Sequence, residues 1–121
     1  MFDIYFYNNL GGEQPVLDYM KELSKKNGKD SRIKLNKIQD YIEVLSRYGT
    51  AIGEPYVKHL EGDIWELRPL RDRILFVGWT GNSYVLLHHF MKKTQKTPKR
   101  EIEKAKRELQ DLKERGVENE E

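Results

Sequence analysis

Cysteine is absent from this 121-residue chain, which excludes a disulfide scaffold, thiol catalysis and any cysteine-ligated zinc or iron–sulfur centre. No run approaches the roughly eighteen apolar residues of a membrane-spanning helix. The N-terminus has no charged segment followed by an apolar one, so a soluble, cytoplasmic protein is expected, with no membrane partner. Neither a GxGxxG fingerprint nor a P-loop is present, and the three histidines never stand four residues apart. No cofactor and no metal are expected.

What remains is polar but not disordered. Hydrophobic residues make up 37% and charged residues 35%, while seven Tyr, four Phe and two Trp are too many for a chain that buries nothing. The length suits one domain, here residues 1–116, followed by a frayed acidic tail at 117–121. The net charge of +2 is unevenly spread. Between Tyr56 and Arg100 nine Lys or Arg face four Asp or Glu, and residues 88–100, HHFMKKTQKTPKR, hold five cations, two histidines and no acid. Such a patch in a nearly neutral protein points to an anionic partner, with a solvated basic loop as the plain alternative.

Alternation in residues 2–7, FDIYFY, predicts a strand, and Asn8–Gly12 a turn. Apolar residues at helical spacing predict helices over Glu13–Lys26 and Asp30–Tyr48, ended by Asn27-Gly28 and by Gly49. Strands follow at Ile64–Arg68, Arg73–Thr80 and Ser83–Met91, joined by a four-residue loop and by Gly81-Asn82. Thr97 as N-cap with Pro98 at the first helical position opens a last helix, which Gly116 closes. The expected architecture is α+β. An N-terminal strand and a three-stranded antiparallel meander form a small sheet on an αα-hairpin, with a C-terminal helix.

Counting back from the loops pairs Arg68 with Arg73, Glu66 with Leu75, Leu75 with His88 and Arg73 with Phe90. Trp65, Leu67, Ile74, Phe76, Val85, Leu87, His89 and Met91 then share an apolar face covered by helices. Glu66, Arg68, Arg73, Leu75, His88, Phe90 and Lys92 share the opposite face, expected to be concave and cationic. Two facing arginines repel unless an anion lies between them, which is either Glu66 or Asp72, or a bound phosphate matched to the guanidinium fork. Phe90 can stack on a base or fill a minor core. His88, with an ordinary pKa near ~6.5, can exchange protons near neutrality or serve packing. His89 is expected to be a satisfied core histidine. No pair of carboxylates clusters near this face, which disfavours a two-metal nuclease.

The runs IWELRPLRDRILFVGW and YVLLHHFMKKTQKTPKREIEKAKRE resemble the HigB-like branch of the RelE/ParE toxin superfamily, related to a phage-derived protein family. The most specific part is the pattern HxFxKKxxKTPxxEIxxA, His88 through Ala105, with ELR at Glu66–Arg68 and Arg73 opening the next strand. The resemblance implies a RelE-like fold and the toxin of a type II toxin–antitoxin system. It implies a ribosome-dependent, metal-independent mRNA endonuclease that inhibits translation and growth through attack of the ribose 2′-OH. It assigns phosphate stabilisation to Arg68 and Arg73, catalytic or RNA-holding charge to Lys92 and Lys93, and RNA contacts to Lys58, Phe90 and Lys96, with His59 beside Lys58. No Asp-Tyr-His cluster follows Lys93, unlike some relatives, so the proton acceptor falls to His88, with Lys92 or Lys93 as alternatives. Implied partners are mRNA on the ribosome and a HigA-like helix-turn-helix antitoxin, with dimers of toxin–antitoxin pairs possible. The alternative within the superfamily is a ParE-like inhibitor of DNA gyrase, and outside it a phage accessory protein with neither activity.

Overall fold

The computed structural model describes residues 1–117, so the expected tail falls, from Glu118 onward, outside the described residues. Five strands and three helices follow in the order β1 (Asp3–Phe6), α1 (Pro15–Lys25), α2 (Lys29–Tyr48), β2 (Val57–Glu61), β3 (Ile64–Leu67), β4 (Asp72–Gly78), β5 (Ser83–Met91) and α3 (Lys99–Arg115). They build one mixed sheet in the order β1-β5-β4-β3-β2, antiparallel except where β1 runs parallel to β5. The α+β class is therefore as expected, but the sheet has five strands instead of four. The extra strand, β2, is an edge whose Lys58, His59 and Glu61 are exposed, so it carries too little apolar alternation to be read from sequence.

The helix pair α1–α2 covers one face, where Val16, Leu23, Ile38 and Leu45 pack on Val57, Leu67, Ile74, Phe76 and Leu86. The other face is not open. Helix α3 lies across it, and Ala105 and Leu112 pack there with Ile64, Leu75, Val77, Val85 and Leu87. This corrects the expectation of a wholly concave cationic face. With helices on both sides, β4 and β5 are continuously buried, and Ile74–Val77 and Val85–His88 offer no period-two phase to read.

A bulge lies in that phaseless stretch. Leu75 pairs with His88 as counted, but Phe76 pairs with Leu86, leaving Leu87 as the extra residue. Val85 and Leu87 consequently face α3, whereas Tyr84 and Leu86 face the helix pair. Below the bulge the counted register holds, with Glu66 opposite Leu75 and Arg73 opposite Phe90. That end of the sheet carries the charged residues.

The far end of α3 is pinned where the Tyr7 hydroxyl donates to Asp111 at 2.6 Å and Arg115 Nη2 donates to the Asn8 carbonyl at 2.6 Å. No helix is long and apolar enough to cross a membrane among the described residues.

On the α1 side, Asp72 Oδ1 accepts from His89 Nε2 and from the Tyr19 hydroxyl, each at 2.9 Å, and Tyr19 stacks on His89 with ring centroids 3.6 Å apart. His89 is thus a satisfied, largely packed histidine. Burial alone would raise the Asp72 carboxyl, but the hydrogen bonds from His89 and Tyr19 hold it below the usual carboxylate range. Burial and the bond to Asp72 push the Tyr19 hydroxyl up. The lowered carboxyl contributes stability above about pH 4, lost as pH falls through its folded value, and the raised phenol contributes below about pH 10, lost as pH rises through its own. Asp72→Asn should therefore lower the melting temperature at pH 7 and flatten the acid limb of a melting-temperature profile. A variant whose acid limb matches the parent would show that Asp72 carries no such linkage.

Candidate active site

At the charged end of the sheet, β2, β3, β4 and β5 meet the loop into α3 and enclose a cleft of about 220 Å³. Its floor holds Glu66, Arg73 and Phe90, with Arg68 at the end of β3 beside them. Lys58, His59 and Leu60 of β2 form one wall, and the segment Lys92–Pro98 forms the other. Six cationic side chains (Lys58, Arg68, Arg73, Lys92, Lys93 and Lys96) thus line the cleft against a single carboxylate. Of the eight candidate residues expected here from sequence, these six and Phe90 are brought together.

Glu66 is the centre of the arrangement and only 2% exposed. Its Oε1 lies 3.6 Å from Arg68 Nε and 3.9 Å from Arg73 Nε, while Oε2 accepts from Thr97 Oγ1 at 2.5 Å. One carboxylate between two guanidiniums relieves their repulsion without cancelling their charge. Arg73, 6% exposed, is further held by Nη1 donating to the carbonyls of Leu70 and Asp72, both at 2.8 Å. Burial and the neighbouring Arg68 lower its pKa, but a guanidinium stays charged at any physiological pH. Arg68 Nη1 reaches the exposed Glu54 at 3.2 Å, and its Nε is buried without a hydrogen-bond acceptor. Lys58, Lys92, Lys93 and Lys96 make no ion pair among the described residues.

His88 does not line the cleft. It is 1% exposed, its Nδ1 is 2.5 Å from Glu108 Oε1 and its Nε2 is 3.0 Å from Glu101 Oε1, both glutamates standing on α3. A neutral imidazole can donate from one nitrogen only, so both contacts are met by an imidazolium or by a protonated glutamate. Either way no lone pair faces the cleft, which corrects the view of His88 as an accessible proton carrier. The expected pairing of His88 with Leu75 holds, but the strand register carries no sign of α3 lying over that position.

The same contact explains the long motif. His88 and Glu101 join the end of β5 to the first turn of α3, so the residues between them form a closed loop. That loop is fixed where Lys92 N donates to the Arg71 carbonyl at 2.8 Å, where Thr94 Oγ1 donates to the Lys96 carbonyl at 2.7 Å, and at Thr97. Thr97 is consequently not an N-cap: Pro98 occupies that position, and the threonine hydroxyl serves Glu66 instead. Helix α3 also reaches β2 through the Lys106–Glu61 pair.

On β2, Lys58 pairs with Glu66 of the cleft, whereas His59 pairs with Trp65 on the helix-pair side, where its ring lies 5.0 Å from the indole and its Nε2 donates to the Gly62 carbonyl at 2.7 Å. No group of three or more His, Cys, Asp or Glu is placed to hold a metal ion among the described residues.

The sequence model of the family Phage derived protein Gp49-like (DUF891) matches residues 18–110, which include every residue of the cleft. The chain belongs to this family. The Gp49-like family is a toxin-like, phage-derived family within the RelE/ParE-like toxin superfamily, whose RelE-like toxins are often endoribonucleases. No curated protein matches the chain. In the Gp49-like chain, Glu66 and Thr97 are the cleft residues that sequence reasoning undervalued. From sequence alone Glu66 reads as a counter-ion and Thr97 as a cap.

Proposed function

We propose that this Gp49-like protein is the HigB-like toxin of a type II toxin–antitoxin system, with a RelE-like fold, and that it cleaves mRNA on the ribosome. The observation that carries this reading is the cleft itself: six cations around one buried, fully engaged carboxylate, with an aromatic ring on the floor. A dianionic phosphorane-like transition state needs fixed positive charge, and Arg68 and Arg73 supply it from side chains already held in place. Lys92, Lys93, Lys96 and Lys58 hold the flanking backbone, and Phe90 stacks on a base.

In the reaction, the ribose 2′-oxygen attacks the adjacent phosphorus, its proton passes to a base, and the P–O5′ bond breaks as the 5′-oxygen takes up a proton. The products end in a 2′,3′-cyclic phosphate and a 5′-hydroxyl. Lys92 and Lys93 on the cleft wall are the side chains placed to carry these protons. The partner that restrains the toxin is a HigA-like helix-turn-helix antitoxin, in toxin–antitoxin pairs that can dimerise in the cytoplasm.

Expression of the chain alone should arrest bacterial growth, with cut mRNA detected by end mapping and rescue by the helix-turn-helix protein encoded beside it. Arrest with intact mRNA and a loss of gyrase supercoiling would identify a ParE-like inhibitor instead. Neutralising Lys92, Lys93 and Lys96 together should make the salt dependence of RNA affinity shallower by about 2, at roughly 0.7 per phosphate contact on single strands. An unchanged slope would show that these lysines do not hold RNA.

A further inference from the structure

Lys92, Lys93, Thr94 and Gln95 line the cleft on one side and, on the other, a second hollow of about 370 Å³ completed by Leu70 and Arg71. We propose that this hollow is a second phosphate subsite, holding the RNA backbone next to the phosphate in the cleft. The strand then crosses the Lys92–Gln95 segment, and Arg71 is its anchor beyond the scissile bond. The proposal rests on the reading of the cleft as an RNA site and adds to it a residue and a strand path.

Three observations carry it. The hollow is lined by three cations, Arg71, Lys92 and Lys93, and by no acid. Arg71 makes no ion pair among the described residues, yet it is held in place. Its Nη2 donates to the Lys92 carbonyl at 3.2 Å, and its own carbonyl accepts from Lys92 N at 2.8 Å. A guanidinium tethered beside a basic loop has already lost freedom that binding would otherwise remove. Finally, the Pro69–Asp72 turn addresses both hollows at once. Leu70 takes a left-handed conformation, φ 56°, in which its carbonyl accepts from Arg73 in the cleft while its side chain stays 50% exposed at the second hollow. That apolar surface is available to a base, and the adjoining Arg71 to the phosphate. A groove that follows a single strand needs this alternation of cation and apolar contact.

An acidic peptide could also satisfy three cations, but continuity with the cleft through four shared residues favours the strand that the cleft already binds. The test uses the full chain and two RNA probes: a fluorescent twelve-nucleotide oligouridylate with 2′-O-methyl ribose throughout to prevent cutting, and the dinucleotide UpU, likewise 2′-O-methylated and with one phosphate, as competitor. Arg71→Gln should weaken the oligonucleotide several-fold and make its salt slope shallower by about 0.7, leaving UpU competition and the melting temperature unchanged. Arg71→Lys should keep the slope. Parent protein that binds the oligonucleotide with a slope unaltered by Arg71→Gln would overturn the subsite alone. Equal weakening of UpU would overturn it too, because the residue would then act in the first site. Parent protein that binds neither probe would overturn the RNA reading and the subsite together. Arg71→Gln that weakens only the adjacent-frame antitoxin would give the hollow to a protein.

Discussion

Arg73→Ala should reduce RNA cleavage by at least about a hundredfold and release cells from growth arrest. One fixed donor to developing transition-state charge is worth roughly 2–4 kcal/mol, and each ~1.4 kcal/mol is tenfold in rate. Arg73 is such a donor because carbonyls of Leu70 and Asp72 hold one end of its guanidinium and Glu66 lies beside Nε. The same contacts give the side chain a structural share, so the alanine variant needs its melting temperature measured beside its activity. Arg73→Lys separates the two roles. It keeps a cation near Glu66 but loses the planar fork, and should remain folded with most of the activity gone. A folded Arg73→Lys protein as active as the parent would show that the cleft does not use this arginine on phosphate.

The second large effect belongs to stability. His88→Leu should destabilise the protein by about 3–5 kcal/mol, because it removes the partner of Glu108 and one partner of Glu101, which keeps only Arg100 at 3.8 Å, and so leaves two largely buried carboxyl groups poorly matched. For a domain of this size that is a fall in melting temperature on the order of 10 °C or more. Adding Glu101→Gln and Glu108→Gln to His88→Leu should recover much of the loss, since no buried charge then remains. Helix α3 and the basic loop are held to β5 through this histidine, so activity should fall in step with the folded fraction. Activity abolished in a His88→Gln protein of unchanged stability and unchanged RNA affinity would return His88 to the chemistry.

The sequence made parts of this site legible because turns and short strands fix register locally. The four-residue loop set Glu66 opposite Leu75, and that pairing put Glu66, Arg68 and Arg73 together before any contact was seen. The Arg73–Phe90 pair was reached by the same counting, although the bulge at Leu87 meant that the count was right only on one side of it. The bulge was invisible because YVLLHHF is buried on both faces, and a segment without alternation carries no phase. The fate of His88 was invisible for a related reason. Its partners Glu101 and Glu108 stand seven residues apart on one helix face, a spacing that reads as ordinary surface charge until the helix is known to lie on the sheet. Glu66 and Thr97 meet across thirty-one residues, a contact that no local pattern announces.

Cutting of RNA by the cationic cleft through the substrate's own 2′-hydroxyl depends on a single substrate atom. It is tested most directly by supplying translating ribosomes with a defined mRNA, in parallel with one carrying a single 2′-deoxyribose immediately 5′ of the mapped cut. The first should be cleaved, with a 2′,3′-cyclic phosphate or its 3′-phosphate derivative at the new end. Cleavage of the second at that position should be absent, although it binds equally well. Equal cutting of the deoxy-substituted message, or a product with a 3′-hydroxyl and a 5′-phosphate, would contradict it.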